Sequence, residues 1–183
     1  MVATTGLRTA RAEAVRVPIL IDGAWSMAAD EYDVIDPYRG EVVARAPEAS
    51  AADLDAALAS AVAAKAAAAV VPGYERAALI RRVIGLLDER AQIIAETISR
   101  ETGKALKDAR AEVARSRETL MLSAEEAVRI EGEHVPLDAT AMGAGKIAML
   151  LRFPVGVVAG ITPFNAPFNL AAHRSRRRLP RAT

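Results

Sequence analysis

Up to residue 50, short apolar runs alternate with turn chemistry. Ile19-Leu20-Ile21 leads into Asp22-Gly23-Ala24-Trp25, a strand entering an Asp-Gly turn where glycine accepts positive φ. Residues 32–35 read as a second strand. Asp36-Pro37-Tyr38-Arg39-Gly40 then supplies turn residues before a third run at residues 41–46. Together these segments predict a small antiparallel meander.

The period then lengthens to that of a helix. Ser50 and Asp53 form a capping-box start, and Leu54, Ala57, Leu58, Ala61 and Val62 follow at helical spacing, with Ala68 and Ala69 extending the face. Pro72-Gly73 stops this helix. A second begins near Tyr74 and places Leu79, Ile80, Val83, Leu86 and Leu87 on one side, continued by Ile93, Ile94 and Ile98. Gly103 interrupts the pattern. A third amphipathic stretch over residues 104–130 turns Ala109, Val113, Leu120, Ala124 and Val128 inward. Its Arg- and Glu-rich side reads as a solvated face with i,i+4 ion pairs.

From Gly132 onward Gly, Pro and β-branched residues replace the Ala/Glu/Arg mixture, and strands are expected. Residues 146–153 form one candidate, broken by Pro154. Residues 155–161 (Val-Gly-Val-Val-Ala-Gly-Ile) are a continuous apolar run of the buried parallel-strand type. A Pro- and Asn-rich loop follows.

Composition narrows the chemistry. The 183 residues are 52% hydrophobic, much of it alanine, and only 4% aromatic, which favours closely packed helices over an aromatic-rich sandwich. There is no cysteine, so disulfides, thiolate metal sites and a cysteine nucleophile within this chain are excluded. No apolar run approaches the roughly 20 residues that span a bilayer. The leader, residues 1–16, carries Arg8, Arg11 and Arg16 but lacks the apolar core of a secretory signal, so a flexible end and a cytoplasmic location are expected. Net charge is +1, yet five arginines lie in the last ten residues; removing those five leaves −4 for residues 1–173.

Gly143-Ala144-Gly145-Lys146-Ile147-Ala148 matches G-x-G-x-x-A, the dinucleotide fingerprint, but neither a preceding strand nor a following helix is expected there. A loop between strands is the better reading. Thr140 and Ile147 stand where a phosphate-binding loop needs Gly and Ser or Thr. His134 and His173 are distant from each other in sequence and lack metal-ligand spacing, so no metal is expected.

Gly160-Ile161-Thr162-Pro163-Phe164-Asn165-Ala166-Pro167-Phe168-Asn169 is different. An apolar run ending in a turn that offers a hydroxyl, an aromatic ring and two carboxamides is where open α/β sheets place ligand contacts. The stretch from Arg152 to Pro167 resembles the R-x-P-x-G-V-V-x-x-I-x-P-[WF]-N-x-P pattern of NAD(P)-dependent aldehyde dehydrogenases. Ile21-Asp22-Gly23-Ala24-Trp25, Asp36-Pro37 and Arg100-Glu101-Thr102-Gly103-Lys104 are similar to further landmarks of that family, in the same order. The similarity covers residues 18–173 and extends to the branch handling small oxygenated aldehydes such as lactaldehyde or phosphonoacetaldehyde.

The resemblance implies an α/β architecture in which residues 17–173 are the N-terminal part of a doubly wound cofactor-binding domain: the meander, a helical layer and the first core strand. It implies NAD or NADP as cofactor, a small aldehyde as substrate, and a parent enzyme that is a homo-oligomer. Asn165 would donate its side-chain amide to the oxyanion formed when a thiolate adds to the aldehyde, a contribution of about 3 kcal/mol. Ile161, Thr162, Pro163 and Phe164 would line the cofactor. The family's cysteine nucleophile, general-base glutamate, lysine-bearing strand and glycine-containing pyrophosphate helix all fall after this point of its pattern, so this chain by itself is expected to be inactive.

After His173 the family-like K-V-A-P-A-L-A-A-G-N is replaced by R-S-R-R-R-L-P-R-A-T at residues 174–183. Deleting one nucleotide from a GC-rich string encoding the former yields the latter, so the tail reads as a frameshift product. Two other function classes follow from the residues: a basic-tailed nucleic-acid binder and a helical protein that sequesters a full-length relative. The favoured reading includes neither nucleic acid nor membrane as partner. Residues 155–161, left without neighbouring strands, are expected to expose apolar faces and promote aggregation.

Overall fold

A computed structural model describes residues 14–177. Five strands precede the first helix: β1 (Val15–Arg16), β2 (Ile19–Ile21), β3 (Ala24–Ser26), β4 (Asp30–Ile35) and β5 (Val42–Glu48). Asp22 and Gly23 both adopt positive φ, 52° and 75°, as a two-residue hairpin turn with right-handed strand twist requires. They set Ile21 opposite Ala24 and Ile19 opposite Ser26. β4 and β5 pair antiparallel around the 36–40 turn. There the buried Asp36 carboxylate accepts the backbone N–H groups of Tyr38 (2.9 Å) and Arg39 (3.1 Å).

The single meander expected from the sequence is divided. β2 and β3 form their own two-stranded sheet, while β5 lies between β4 and a parallel β1. Pro18, which lacks an N–H, separates β1 from β2 in the chain and cannot donate to a ladder. Val15 and Arg16 therefore belong to a sheet rather than to a loose leader, with Arg16 paired to Glu31 at 2.7 Å. Residues 1–13 of that leader lie outside the described residues.

α1 (Ala51–Ala69) starts at the predicted capping box: the Ser50 hydroxyl accepts the Asp53 N–H and the Asp53 carboxylate accepts the Ser50 N–H. None of its residues is buried, and Leu54, Leu58 and Val62 face outward. α2 (Gly73–Thr102) and α3 (Leu106–Glu126) form an antiparallel pair around a line of small residues. On α2 the buried stripe is Ala77, Ile84, Leu87, Ala95 and Ile98, whereas Leu79, Val83, Leu86 and Ile93 are exposed. Leu87 and Ile98 of the expected face are thus buried, and Ile80 and Ile94 pack against the core, but the inward face is turned away from the other four. Ala77 and Ala95 have no measurable exposure: Ala77 packs with Ala124 and Ala127, and Ala95 lies in the main cluster with Ile84, Leu87, Ile98, Val113 and Leu120.

α3 buries Ala109, Val113, Leu120 and Ala124 as expected, but Val128 lies past its end and is exposed. The same stripe carries Glu112, Ser116, Thr119 and Ser123. Ser116 and Ser123 return their hydroxyls to the carbonyls of Glu112 and Thr119, one turn earlier.

β6 (Glu133–Pro136) and β7 (Ile147–Leu150) make an antiparallel hairpin, with a single 3-10 turn at Ala141–Gly143 between them. The G-x-G-x-x-A match falls in this connection. A Cβ on Gly143 would lie 1.5 Å from the Leu137 carbonyl oxygen, so that glycine serves close backbone packing, whereas Gly145 supplies a left-handed φ of 76°; no helix follows. The strand expected at residues 155–161 is absent, and residues 151–163 have no regular secondary structure. Parallel strands are held by neighbours on their edges; no strand pairs with this run among the described residues, and Ile161 is 82% exposed.

α4 (Pro167–Arg177) completes the core by laying Phe168 and Ala172 against α2 and α3. Its backbone carries the chain through Arg174 into the basic tail, and residues 178–183 lie outside the described residues. Among the described residues, no helix is long and apolar enough to cross a membrane.

Candidate active site

The site is built where the α2–α3 corner meets the start of α4. Gly103 closes α2 in the left-handed conformation, φ 70°, and returns its N–H to the Ser99 carbonyl at 2.9 Å. The Ser99 hydroxyl then donates to the Lys104 carbonyl at 2.7 Å. These bonds fix the backbone from which the Lys104 side chain crosses to the opposite segment. Its ammonium donates to the Glu112 carboxylate and, at 3.0 Å, to the backbone carbonyl of Asn165.

Glu112 is fully buried on α3. One oxygen accepts from Lys104, and the other accepts the N–H groups of Phe168 (3.0 Å) and Asn169 (3.2 Å). Those are the second and third residues of α4, whose N–H groups have no partner within the helix. Pro167 occupies the first position, where its missing N–H costs nothing. Burial pushes the Glu112 carboxyl up; the Lys104 hydrogen bond and charge, with the two backbone donors, outweigh it and hold the group below the usual carboxylate range. Glu101, one turn before Lys104 and half-buried, is pushed the other way by burial.

Further along α4, Asn169 Oδ1 accepts the Thr119 hydroxyl at 3.3 Å, and His173 Nε2 lies 3.4 Å from the same hydroxyl. His173, read from sequence as an isolated histidine, is thus part of a polar contact between α3 and α4. Asn165 sits in the turn before α4. Its backbone is held by Lys104, whereas its side-chain carboxamide is exposed and makes no hydrogen bond among the described residues. Ile161, Thr162, Pro163 and Phe164 precede it in an exposed segment. The Arg174 stem packs beside Gly160 at the start of that segment, where a Cβ would lie 3.6 Å from Arg174 Cδ.

All five predicted site residues therefore lie in one continuous stretch, and the structure adds Lys104 and Glu112 beneath it. The sequence signal for Glu112 was its spacing: Ala109, Glu112, Ser116, Thr119 and Ser123 follow the period of the apolar stripe. Among the described residues no cluster of three or more His, Cys, Asp or Glu is placed to hold a metal ion.

Residues 25–179 match the aldehyde dehydrogenase family. The chain belongs to the aldehyde dehydrogenase family.

It is 36% identical over 156 residues to 3-sulfolactaldehyde dehydrogenase of Priestia aryabhattai, an alignment covering 85% of this chain and 32% of that protein. It is 40% identical over 149 residues to malonate-semialdehyde dehydrogenase 1 of Bacillus licheniformis, covering 80% and 30%. Among solved structures, aldehyde dehydrogenase 21 from Physcomitrella patens, in complex with the reaction product succinate, superposes with a TM-score of 0.85 at 38% identity, covering 90% of this chain and 34% of that one. The NADP-dependent glyceraldehyde-3-phosphate dehydrogenase from Bacillus halodurans C-125, complexed with NADP, gives a TM-score of 0.83 at 34% identity, covering 90% and 35%. The chain thus spans about a third of the length of these aldehyde dehydrogenases and has a partial aldehyde dehydrogenase fold.

Proposed function

We propose that residues 161–165 form one wall of a site that oxidises a short aldehyde to a carboxylic acid with NAD or NADP, and that Asn165 is its oxyanion donor. The observation that carries this reading is the Asn165 turn: a backbone pinned by Lys104 presents a carboxamide that is exposed and unengaged. A carboxamide carried on a held backbone and free of other partners is available as an N–H donor to negative charge that develops on a substrate oxygen.

Ile161, Thr162, Pro163 and Phe164 fit a cofactor wall. Their side chains are exposed, which leaves them open to ribose hydroxyls and an apolar ring face. A nicotinamide dinucleotide supplies the hydride acceptor in such chemistry. Asn165 donates to the substrate oxygen, and Phe164 and Ile161 exclude water from the reacting face.

The names of two relatives, one acting on 3-sulfolactaldehyde and one on malonate semialdehyde, support a short, oxygenated substrate that carries an anionic group. The nucleophile is not supplied by this sequence, which has no cysteine, so the 183-residue chain alone turns over no aldehyde by the thiol route. The test is a chimera in which residues 25–173 replace the matching segment of the Priestia 3-sulfolactaldehyde dehydrogenase. It should form NAD(P)H from short anionic aldehydes while the isolated chain forms none. A folded chimera without activity overturns the assignment.

A further inference from the structure

Lys104 and Glu112 connect the α2–α3 corner, α3 and the segment that runs from the Asn165 turn into α4. Lys104 stands on the α2–α3 corner, Glu112 inside α3, and the groups they hold belong to the Asn165 turn and the first turn of α4. The carboxylate is used on both oxygens, one for the ammonium and one for two backbone N–H groups. The ammonium is likewise shared between that carboxylate and the Asn165 carbonyl. We infer that Lys104 and Glu112 act together as a positioning clamp, which fixes the Asn165 turn against α3 and thereby sets the direction in which the Asn165 carboxamide points.

The energetic logic favours a positioning role over simple stabilisation. A buried ion pair contributes little to stability relative to apolar residues of similar volume, because both charges are desolvated. Core positions on a helix are filled more cheaply by Leu or Met. Here the pair instead meets three polar groups from the opposite segment and α4, one carbonyl through Lys104 and two N–H groups through Glu112, whose negative charge also lies at a helix N-terminus. Each is a directional bond to backbone within four residues of Asn165. An apolar pair would fill the space and leave the turn free to rotate.

Both residues are assigned a role through Asn165, so the inference rests on the function proposed for that residue. It is tested on the complete 183-residue chain by hydrogen exchange, comparing residues 165–170 with residues 109–124 of α3 as an internal reference for global opening. Glu112→Gln keeps the shape but loses the charge and the pairing with Lys104. It should raise exchange at Phe168 and Asn169 by about tenfold or more, as expected for loss of charge-assisted bonds, while α3 changes little.

Lys104→Met should loosen the same segment, and Lys104→Arg, which keeps charge and donors, should restore at least part of the protection. Ser116→Ala, one turn along α3, should leave residues 165–170 protected relative to α3. The inference is overturned if exchange at residues 165–170 is unchanged in both Glu112→Gln and Lys104→Met, or if it rises only in step with α3. Failure of the oxyanion reading is seen separately: if Asn165→Ala leaves turnover of the chimera intact, that role falls, whereas the exchange results report on the clamp alone.

Discussion

Gly103 ends α2 directly against the ring of Pro37: a Cβ at Gly103 would lie 2.8 Å from Pro37 Cγ. This contact ties the turn between β4 and β5 to the corner that carries Lys104. The sheet and the site are linked through one residue that has no side chain and adopts φ 70°.

Gly103→Ala is therefore expected to destabilise by about 1–2 kcal/mol from the left-handed backbone alone, with further cost from the proline contact. Urea midpoints at fixed slope measure it. A variant as stable as the wild type would show that the corner relaxes away from Pro37 without strain.

The depressed Glu112 carboxyl makes stability pH-dependent in a definite direction. A carboxyl whose folded value lies below its unfolded value, about 4.3 for Glu, contributes stability above the unfolded value and loses it as pH falls through the folded one. Glu101, raised by burial, contributes in the opposite sense, so the wild-type profile mixes the two. The difference between wild type and Glu112→Gln isolates Glu112. It should be about 2–3 kcal/mol near neutrality and shrink below pH 4; a difference independent of pH contradicts the ion pair.

The exposed apolar positions on the unpaired run and the β6–β7 hairpin predict the solution behaviour of the isolated chain. Ile147, Met149, Val155, Ile161 and Phe164 are each more than two-thirds exposed, and exposed large apolar side chains in such number favour association. We expect binding of a hydrophobic dye at neutral pH and concentration-dependent self-association, both reduced by Ile161→Lys. A monomer that binds no dye would contradict this.

α1 should be the least protected helix. It buries no residue and is held by its capping box and by the Ser60 hydroxyl on Asp22 at 2.9 Å. Ser50→Ala is expected to remove about 1 kcal/mol of helix stability and to speed exchange in α1 without altering α2 or α3. Equal protection across the three helices would show that α1 is coupled to the core.

Elements set by local chemistry were readable from the sequence. The Asp22-Gly23 hairpin, the Ser50–Asp53 cap and the Gly103 stop depend on the conformations and hydrogen bonds of a few adjacent residues. The Asn165 turn was readable through the Pro-Asn pattern that follows an apolar run. Features set by tertiary context were not. The inward face of α2 depends on where α3 packs, and it buries Ala77 and Ala95 while leaving Leu79, Val83 and Leu86 exposed, a choice that a hydrophobicity pattern does not rank. The strand status of residues 155–161 depends on edges supplied by other segments. Glu112 looked like one of many surface carboxylates, and only the backbone of α4 reveals why it is buried.

The central claim is that Asn165 stabilises negative charge on the substrate oxygen. Its most direct measurement is kcat of the chimera carrying residues 25–173, with and without Asn165→Ala, alongside the dissociation constant for NAD(P). The account predicts a fall in kcat of about 10²–10³ with cofactor binding unchanged. An unchanged kcat, or a loss explained entirely by weaker cofactor binding, would contradict it.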